Sequence, residues 1–166
     1  VVEVQCDAVG GIVGQNGTAT NTYNSGRITH KNKSPLHTGG IGSGTTVSNS
    51  YNLGDIVIED AGNSIYIGGI SSSGGSSINS VNKGNITVTV KDPYQSAGYF
   101  SIGGTTCYGT STNSFNAGTI KVVNPDGTNY PITEDTFPGT AMWEIHHRVS
   151  IGEITGDSFS GSGNIF

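Results

Sequence analysis

One unit of sequence is written four times in this chain, at a nearly constant period. Each copy opens on a glycine pair: Gly10-Gly11, Gly39-Gly40, Gly68-Gly69 and Gly103-Gly104. Each closes on a recurring signature: Asn21-Thr22-Tyr23-Asn24-Ser25-Gly26, Asn49-Ser50-Tyr51-Asn52-Leu53-Gly54, Asn79-Ser80-Val81-Asn82-Lys83-Gly84 and Asn113-Ser114-Phe115-Asn116-Ala117-Gly118. The first glycine recurs after 29, 29 and 35 residues. A period of that size means one supersecondary unit stacked on copies of itself.

Each unit reads as three short strands. One leads into the glycine pair, as in Ile65-Tyr66-Ile67, and one is the hydroxyl-rich run that ends at the signature. The third follows the Asn-x-Gly turn, as in Asn85-Ile86-Thr87-Val88. Asn and Gly both tolerate the positive φ that such a turn demands. Parallel strands need long connections, usually helical, and no segment here has helical periodicity. A chain that coils, pairing each strand with its copy one turn below, satisfies both facts. The expected fold is therefore all-β: a parallel β-solenoid (β-helix) of about five coils, right-handed by the general chirality of such connections.

Coils stacked at about 4.8 Å place like residues over like. Tyr23, Tyr51, Val81 and Phe115 are expected to pile up inside as one column. Asn24, Asn52, Asn82 and Asn116 are expected to form an amide ladder at a corner, satisfying polar groups that a thin core cannot. The repeats fall at about residues 8–35, 36–64, 65–98 and 99–123 of a single domain spanning 1–166. A degenerate copy at 148–166 is marked by Ser150-Ile151-Gly152, which mirrors Ser101-Ile102-Gly103. Before it lies an insertion, 124–147, with Pro125, Pro131, Pro138 and the single Trp.

Hydrophobic residues are 33% and charged residues 11%, while Gly, Ser, Thr and Asn make up 81 of 166. The apolar minority recurs in register, which separates this chain from a disordered one. Ile and Val dominate the runs, as pleated strands favour. A net charge of −5 with scattered Lys and Arg argues against a nucleic-acid partner. No apolar run approaches the roughly 20 residues of a membrane-spanning helix. The opening Val1-Val2-Glu3-Val4 resembles the closing strand of a repeat, so the chain is expected to belong to a larger polypeptide.

The repeats resemble the GLUG motif, most clearly at Gly10-Gly11-Ile12-Val13-Gly14-Gln15-Asn16-Gly17 running into Asn21-Thr22-Tyr23-Asn24-Ser25-Gly26. That motif occurs in arrays in bacterial surface proteins and immunoglobulin A peptidases. The resemblance covers most of residues 8–122. It implies an extracellular or cell-wall-attached solenoid and carries no catalytic residues, since the motif describes a scaffold.

Candidate sites are few. Cys6 and Cys107 lie three coils apart, roughly 14 Å at that spacing, beyond the about 7 Å Cα limit of a disulfide, so two buried thiols are expected. His146-His147 beside Glu144 would point to opposite faces of a strand, and His30 and His37 read as surface residues of the first inter-coil loop, so no metal or cofactor is expected. Asp55, Glu59 and Asp60 share one coil without matching acids on the others, which leaves no glycosidase pair.

Alternation puts Thr18, Thr20 and Thr22 on one outer face, over Thr46, Ser48 and Ser50, then Ser76, Ile78 and Ser80, then Thr110, Thr112 and Ser114. Ice binding is one reading of that grid; ordinary solubility is the other. Tyr130 and Trp143 of the insertion, with Tyr94 and Tyr99 of the preceding loop, are the candidate binding residues, either stacking on a glycan or anchoring a protein. The alternative for the insertion is that it covers the unpaired end of the rod. The expected role is a non-catalytic rigid spacer or adhesive module, taking host glycan or extracellular protein. The other reading is an accessory region of a secreted peptidase or polysaccharide-active enzyme.

Overall fold

Short β-branched runs punctuated by Gly and Asn leave room only for short strands, and those observed are two to six residues long. A computed structural model describes residues 7–31, 36–62, 64–91, 99–130 and 148–152. The first coil comprises β1 (Ala8–Gly10), β2 (Gly17–Thr20), β3 (Tyr23–Asn24) and β4 (Ile28–Lys31). The second comprises β5 (Leu36–Gly39), β6 (Thr45–Ser48), β7 (Tyr51–Asn52) and β8 (Ile56–Ala61). The third comprises β9 (Ile65–Gly68), β10 (Ser76–Ile78), β11 (Val81–Asn82) and β12 (Ile86–Val90). The fourth comprises β13 (Tyr99–Gly103), β14 (Thr110–Thr112), β15 (Phe115–Asn116) and β16 (Ile120–Val123), and β17 (Arg148–Gly152) opens a fifth.

Every strand pairs in parallel with its copy one coil away. The four resulting sheets run β1-β5-β9-β13-β17, β2-β6-β10-β14, β3-β7-β11-β15 and β4-β8-β12-β16. We number them I to IV. The chain is a parallel β-solenoid, with four coils in the described residues and the first strand of another. In that last strand Ile151 and Gly152 pair with Ile102 and Gly103, the alignment expected for the degenerate copy. Residues 153–166 lie outside the described residues.

A unit has four strands, not three, because the hydroxyl run breaks in two. Asn21, Asn49, Asn79 and Asn113 all take positive φ, between 48° and 54°, and bend the chain from sheet II into sheet III. Asn is one of the few side chains that accept this conformation readily. The bend interrupts the backbone ladder, and the next residue repairs it. Thr22, Ser50 and Ser80 donate their backbone N–H to the hydroxyls of Ser50, Ser80 and Ser114. Those three hydroxyls in turn donate to the carbonyls of Ser48, Ile78 and Thr112. The Thr22 column was expected outside with Thr18 and Thr20; the bend turns it inward, and Ser50, Ser80 and Ser114 are buried.

The same bend reverses the aromatic column. Tyr23, Tyr51, Val81 and Phe115 do stack in register. They face solvent, with Tyr23 67% and Tyr51 49% exposed. Their Asn neighbours take the inner side. Asn24, Asn52 and Asn82 donate from Nδ2 to the Oδ1 of the Asn one coil on, at 3.0, 2.8 and 2.8 Å. Each also closes its own turn by donating to the carbonyl of the Gly two residues later. A Cβ on Gly40 would collide with the Gly69 carbonyl and with the Asn52 amide, and one on Gly69 with the Gly104 carbonyl and the Asn82 amide. The repeated Gly pair thus exists to let the amides and the next coil close in.

The main core lies between sheets I and IV: Leu36, Ile65, Ile67, Phe100 and Ile102 against Ile56, Ile58, Ile86, Val88 and Val122. A smaller cluster, Ala19, Ile41, Val47 and Ile70, fills the space behind sheet II. His30 belongs to the main core's geometry and not to a loop. It lies on β4 above Ile58, Val88 and Val122, and both ring nitrogens are buried without a partner. Burial lowers its pKa below the ordinary value.

Two measurements test this account. Asn52→Ala removes an amide that holds three neighbours, leaving a donor on Asn24 and acceptors on Asn82 and Gly54 unmet. At about 1–3 kcal/mol per buried unsatisfied group, urea unfolding should show a loss of at least about 3 kcal/mol. For His30 the folded pKa lies below the unfolded one, so the unfolded chain binds more protons once pH falls below about 6.5. Stability is full above that pH and declines through the interval down to the lowered folded pKa. His30→Leu should flatten that part of the stability–pH curve.

Candidate functional site

Charge is confined to one side of the repeat. Residues 8–26, 38–54, 64–82 and 99–120 contain no Asp, Glu, Lys, Arg or His. In the coils the charged side chains occupy sheet IV, the turn that enters it and the connection to sheet I: Arg27, Lys31, Asp55, Glu59, Asp60, Lys83, Lys91 and Lys121. Sheets II and III, with the glycine turn before them, present an uninterrupted neutral surface. Soluble proteins usually intersperse both signs over the surface, so a face cleared of charge on every coil is a candidate site.

That face is built of columns. On sheet II, Thr18, Thr46, Ser76 and Thr110 stand in register, followed by Thr20, Ser48, Ile78 and Thr112. Neighbouring hydroxyls bond along the columns, Thr20 with Ser48 at 3.0 Å and Thr110 with Ser76 at 2.9 Å. At the bend, Asn79 donates to Asn49 and Asn113 donates to Asn79, both at 3.2 Å, a second and outer amide ladder. Beyond it, on sheet III, come Tyr23, Tyr51, Val81 and Phe115, then the exposed Leu53. Side chains that alternate across a strand cannot wander, so each column is fixed by the buried ladder one residue away.

A smaller aromatic group lies on sheet I. His37 stacks on Tyr66 with ring centroids 4.7 Å apart and an interplanar angle of 11°, and Tyr66 meets Tyr108 at 5.6 Å. Burial lowers the His37 pKa, partly offset by Asp7.

The residues singled out from the sequence fare differently. Tyr130 is buried: the chain turns back at Asn124–Thr128, Tyr130 N–H donates to the Val122 carbonyl, and the ring joins the main core at 6% exposure. Residues 131–147 of the insertion lie outside the described residues. Tyr99 lies on β13, where its backbone pairs with Arg148. Tyr94 and Trp143 lie outside the described residues, as do Cys6, Glu144, His146 and His147. Cys107 is fully buried. Asp55 accepts the Asn85 backbone N–H, and Glu59 pairs with Lys31 at 3.5 Å, so both acids serve contacts between coils.

The hydroxyl columns are legible in the sequence as a surface grid, but the aromatic column beside them is expected inside, so the combined face is not. The signal was present: runs of about 20 residues without a charge, recurring at the repeat period. No family model matches the chain, and no curated protein and no solved structure is detectably similar to it.

Exposure of the aromatic column has a direct consequence for stability. Tyr51→Ser, next to the ladder residue Asn52, should shift the unfolding free energy by no more than about 0.5 kcal/mol, as exposed substitutions do. The same denaturation curve that registers Asn52→Ala should hardly register this change.

Proposed function

We propose that this chain is a rigid, non-catalytic spacer or adhesive module of a bacterial cell-surface or secreted protein, built from GLUG-like repeats. The observation that carries the reading is the pairing of an inner and an outer order on the same residues. A continuous amide ladder inside holds every coil in one register. An outer face without charge repeats in that register on each coil. Stacked repeats of this kind supply length and stiffness, and they display a one-dimensional array of equivalent surface positions.

Binding by such a module needs no chemistry at the contact, only presentation, which suits a scaffold in which Asp55 and Glu59 are engaged between coils. The GLUG resemblance supports an extracellular setting and a place within a longer polypeptide. Host glycan and extracellular protein are the partner classes that fit.

The test is made on cells of the source organism. Antibody raised against the purified chain should label intact cells or the culture medium, and excising residues 8–130 from the gene should reduce attachment to mucin-coated surfaces severalfold. Label confined to the cell interior would overturn the reading. So would unchanged attachment accompanied by loss of a peptidase or polysaccharide-degrading activity, which would favour an accessory region of an enzyme.

A further inference from the structure

We propose that the neutral face of sheets II and III binds an uncharged, extended polysaccharide laid along the solenoid axis, one sugar per coil. The inference rests on the adhesive-module reading and gives it a site and a ligand chemistry.

A pyranose ring presents C–H groups on its faces and hydroxyls around its rim. The proposed face offers a partner for each. Tyr23, Tyr51 and Phe115 supply exposed aromatic surface along one line, with Val81 completing the column. Sugar C–H faces pack against such rings, and each contact gains from the negative π face as well as from buried area. Beside that line run the outer amides of Asn49, Asn79 and Asn113 and the hydroxyls of Thr20, Ser48 and Thr112. The amides bond one another along the axis, as Thr20 bonds Ser48, yet an amide and a hydroxyl each keep further donor or acceptor capacity for a ligand rim.

Spacing selects the kind of chain. Coils repeat at about 4.8 Å, close to the rise of one residue in a ribbon-like β-1,4-linked polysaccharide. Consecutive sugars therefore meet consecutive rungs of the same column, over the four coils of sheets II and III. A helically wound α-linked glucan departs from a straight column within a few residues. Charge selects further. With no Lys, Arg or His from 8 to 26, 38 to 54, 64 to 82 and 99 to 120, the face has nothing to neutralise a uronate or sulfate. Ice is a poorer match, because Ile78 interrupts the hydroxyl rows and an aromatic column borders them. A protein partner would be expected to meet Arg as well as Tyr, and this face carries no Arg.

The experiment uses the full chain with cellohexaose, mannohexaose, xylohexaose and chitohexaose as neutral probes, and with heparin and hyaluronan as charged ones. Binding is read by calorimetry and by pull-down on insoluble cellulose, mannan, xylan and chitin. At least one neutral chain should bind, with affinity that hardly changes between low and high salt. Tyr23→Ala with Tyr51→Ala should weaken it by roughly tenfold or more, and Tyr23→Phe with Tyr51→Phe should restore most of it. Thr46→Lys, which projects a long side chain across the columns, should weaken binding too, while Lys121→Glu on sheet IV should not.

Failure of every neutral probe, preference for the charged ones, or binding indifferent to the Tyr and Thr46 changes would each overturn the proposal. So would thermal hysteresis of the chain in freezing solution, or a dimer that the Tyr→Ala changes dissociate, since either assigns the face to another occupant. Cell-surface labelling and attachment are independent of these results, so loss of the glycan assignment is distinguishable from loss of the module itself.

Discussion

A file of side-chain amides holds this molecule in register. Each of Asn24, Asn52 and Asn82 spends one N–H on the coil ahead and one on its own turn. Primary amides suit that duty because they carry two donors and an acceptor with two lone pairs in one plane, so a stack of them satisfies itself. Burial then strengthens the arrangement, since an amide displaced from the file finds no water to bond. The ladder also fixes what may surround it. Gly11, Gly40 and Gly69 sit where a Cβ would strike the amide, and Gly54, Gly84 and Gly118 sit where a Cβ would strike the carbonyl of the turn one coil before. A glycine pair ending 12 or 13 residues before an Asn, and a glycine two residues after it, are therefore the sequence trace of one packing constraint.

That constraint is why the fold is legible in the amino-acid sequence. Period, glycine pairs and Asn-x-Gly turns define stacking, and the observed pairings of Asn24 with Asn52, Asn52 with Asn82 and Asn82 with Asn116 follow the alignment of the repeats residue for residue. What the alignment does not encode is the side on which a column lies. Strand alternation predicts sides only while the strand continues, and a single residue with positive φ resets the parity. Asn21, Asn49, Asn79 and Asn113 do that, so Thr22, Ser50, Ser80 and Ser114 turn inward and the aromatic residues after them turn outward. An Asn followed by Ser or Thr at the end of a strand is the local mark of such a bend. Read that way, the signature places Tyr outside from sequence alone. The burial of Tyr130 is hidden from the sequence for a different reason. Its position outside the repeat suggested exposure, but the tight turn at Asn124–Thr128 folds it back onto Val122, a non-periodic contact no repeat pattern contains.

Polarity is partitioned across the coil as strictly as register is along it. Between sheets I and IV the interior is nearly all Ile, Val, Leu and Phe, and the surface above sheet IV carries the charges. Behind sheet II the inner column runs Ala19, Val47, Ser77, Ser111, and the adjoining turns bury Ser43, Ser71, Ser72, Thr105 and Thr106. Several of those hydroxyls bond across coils, as Ser72 does to Ser43 and Ser77 to Ser114. Hydroxyl pairs suit tight corners too small for branched aliphatic side chains, which explains a low overall hydrophobic content in a fully stacked structure. One half of the section is thus held mainly by apolar burial and the other mainly by directional bonds.

The neutral face belongs to the half built on directional bonds, and its value as a binding surface follows from that. Apolar cores tolerate small repacking, so groups displayed above them can shift by fractions of an ångström as side chains adjust. A hydrogen-bonded ladder has no such slack. Tyr51 is flanked by Ser50 and Asn52, each tied to the next coil through its own bond, so the Cα that carries the ring is pinned from both sides. Neighbouring rings are pinned by the same bonds one rung away. A ligand that repeats at the rung spacing then meets groups already in place, and the ordering cost that weakens most flexible surfaces has been met during folding. Rigidity and recognition are in this sense the same set of contacts, read from the inside and from the outside of one strand.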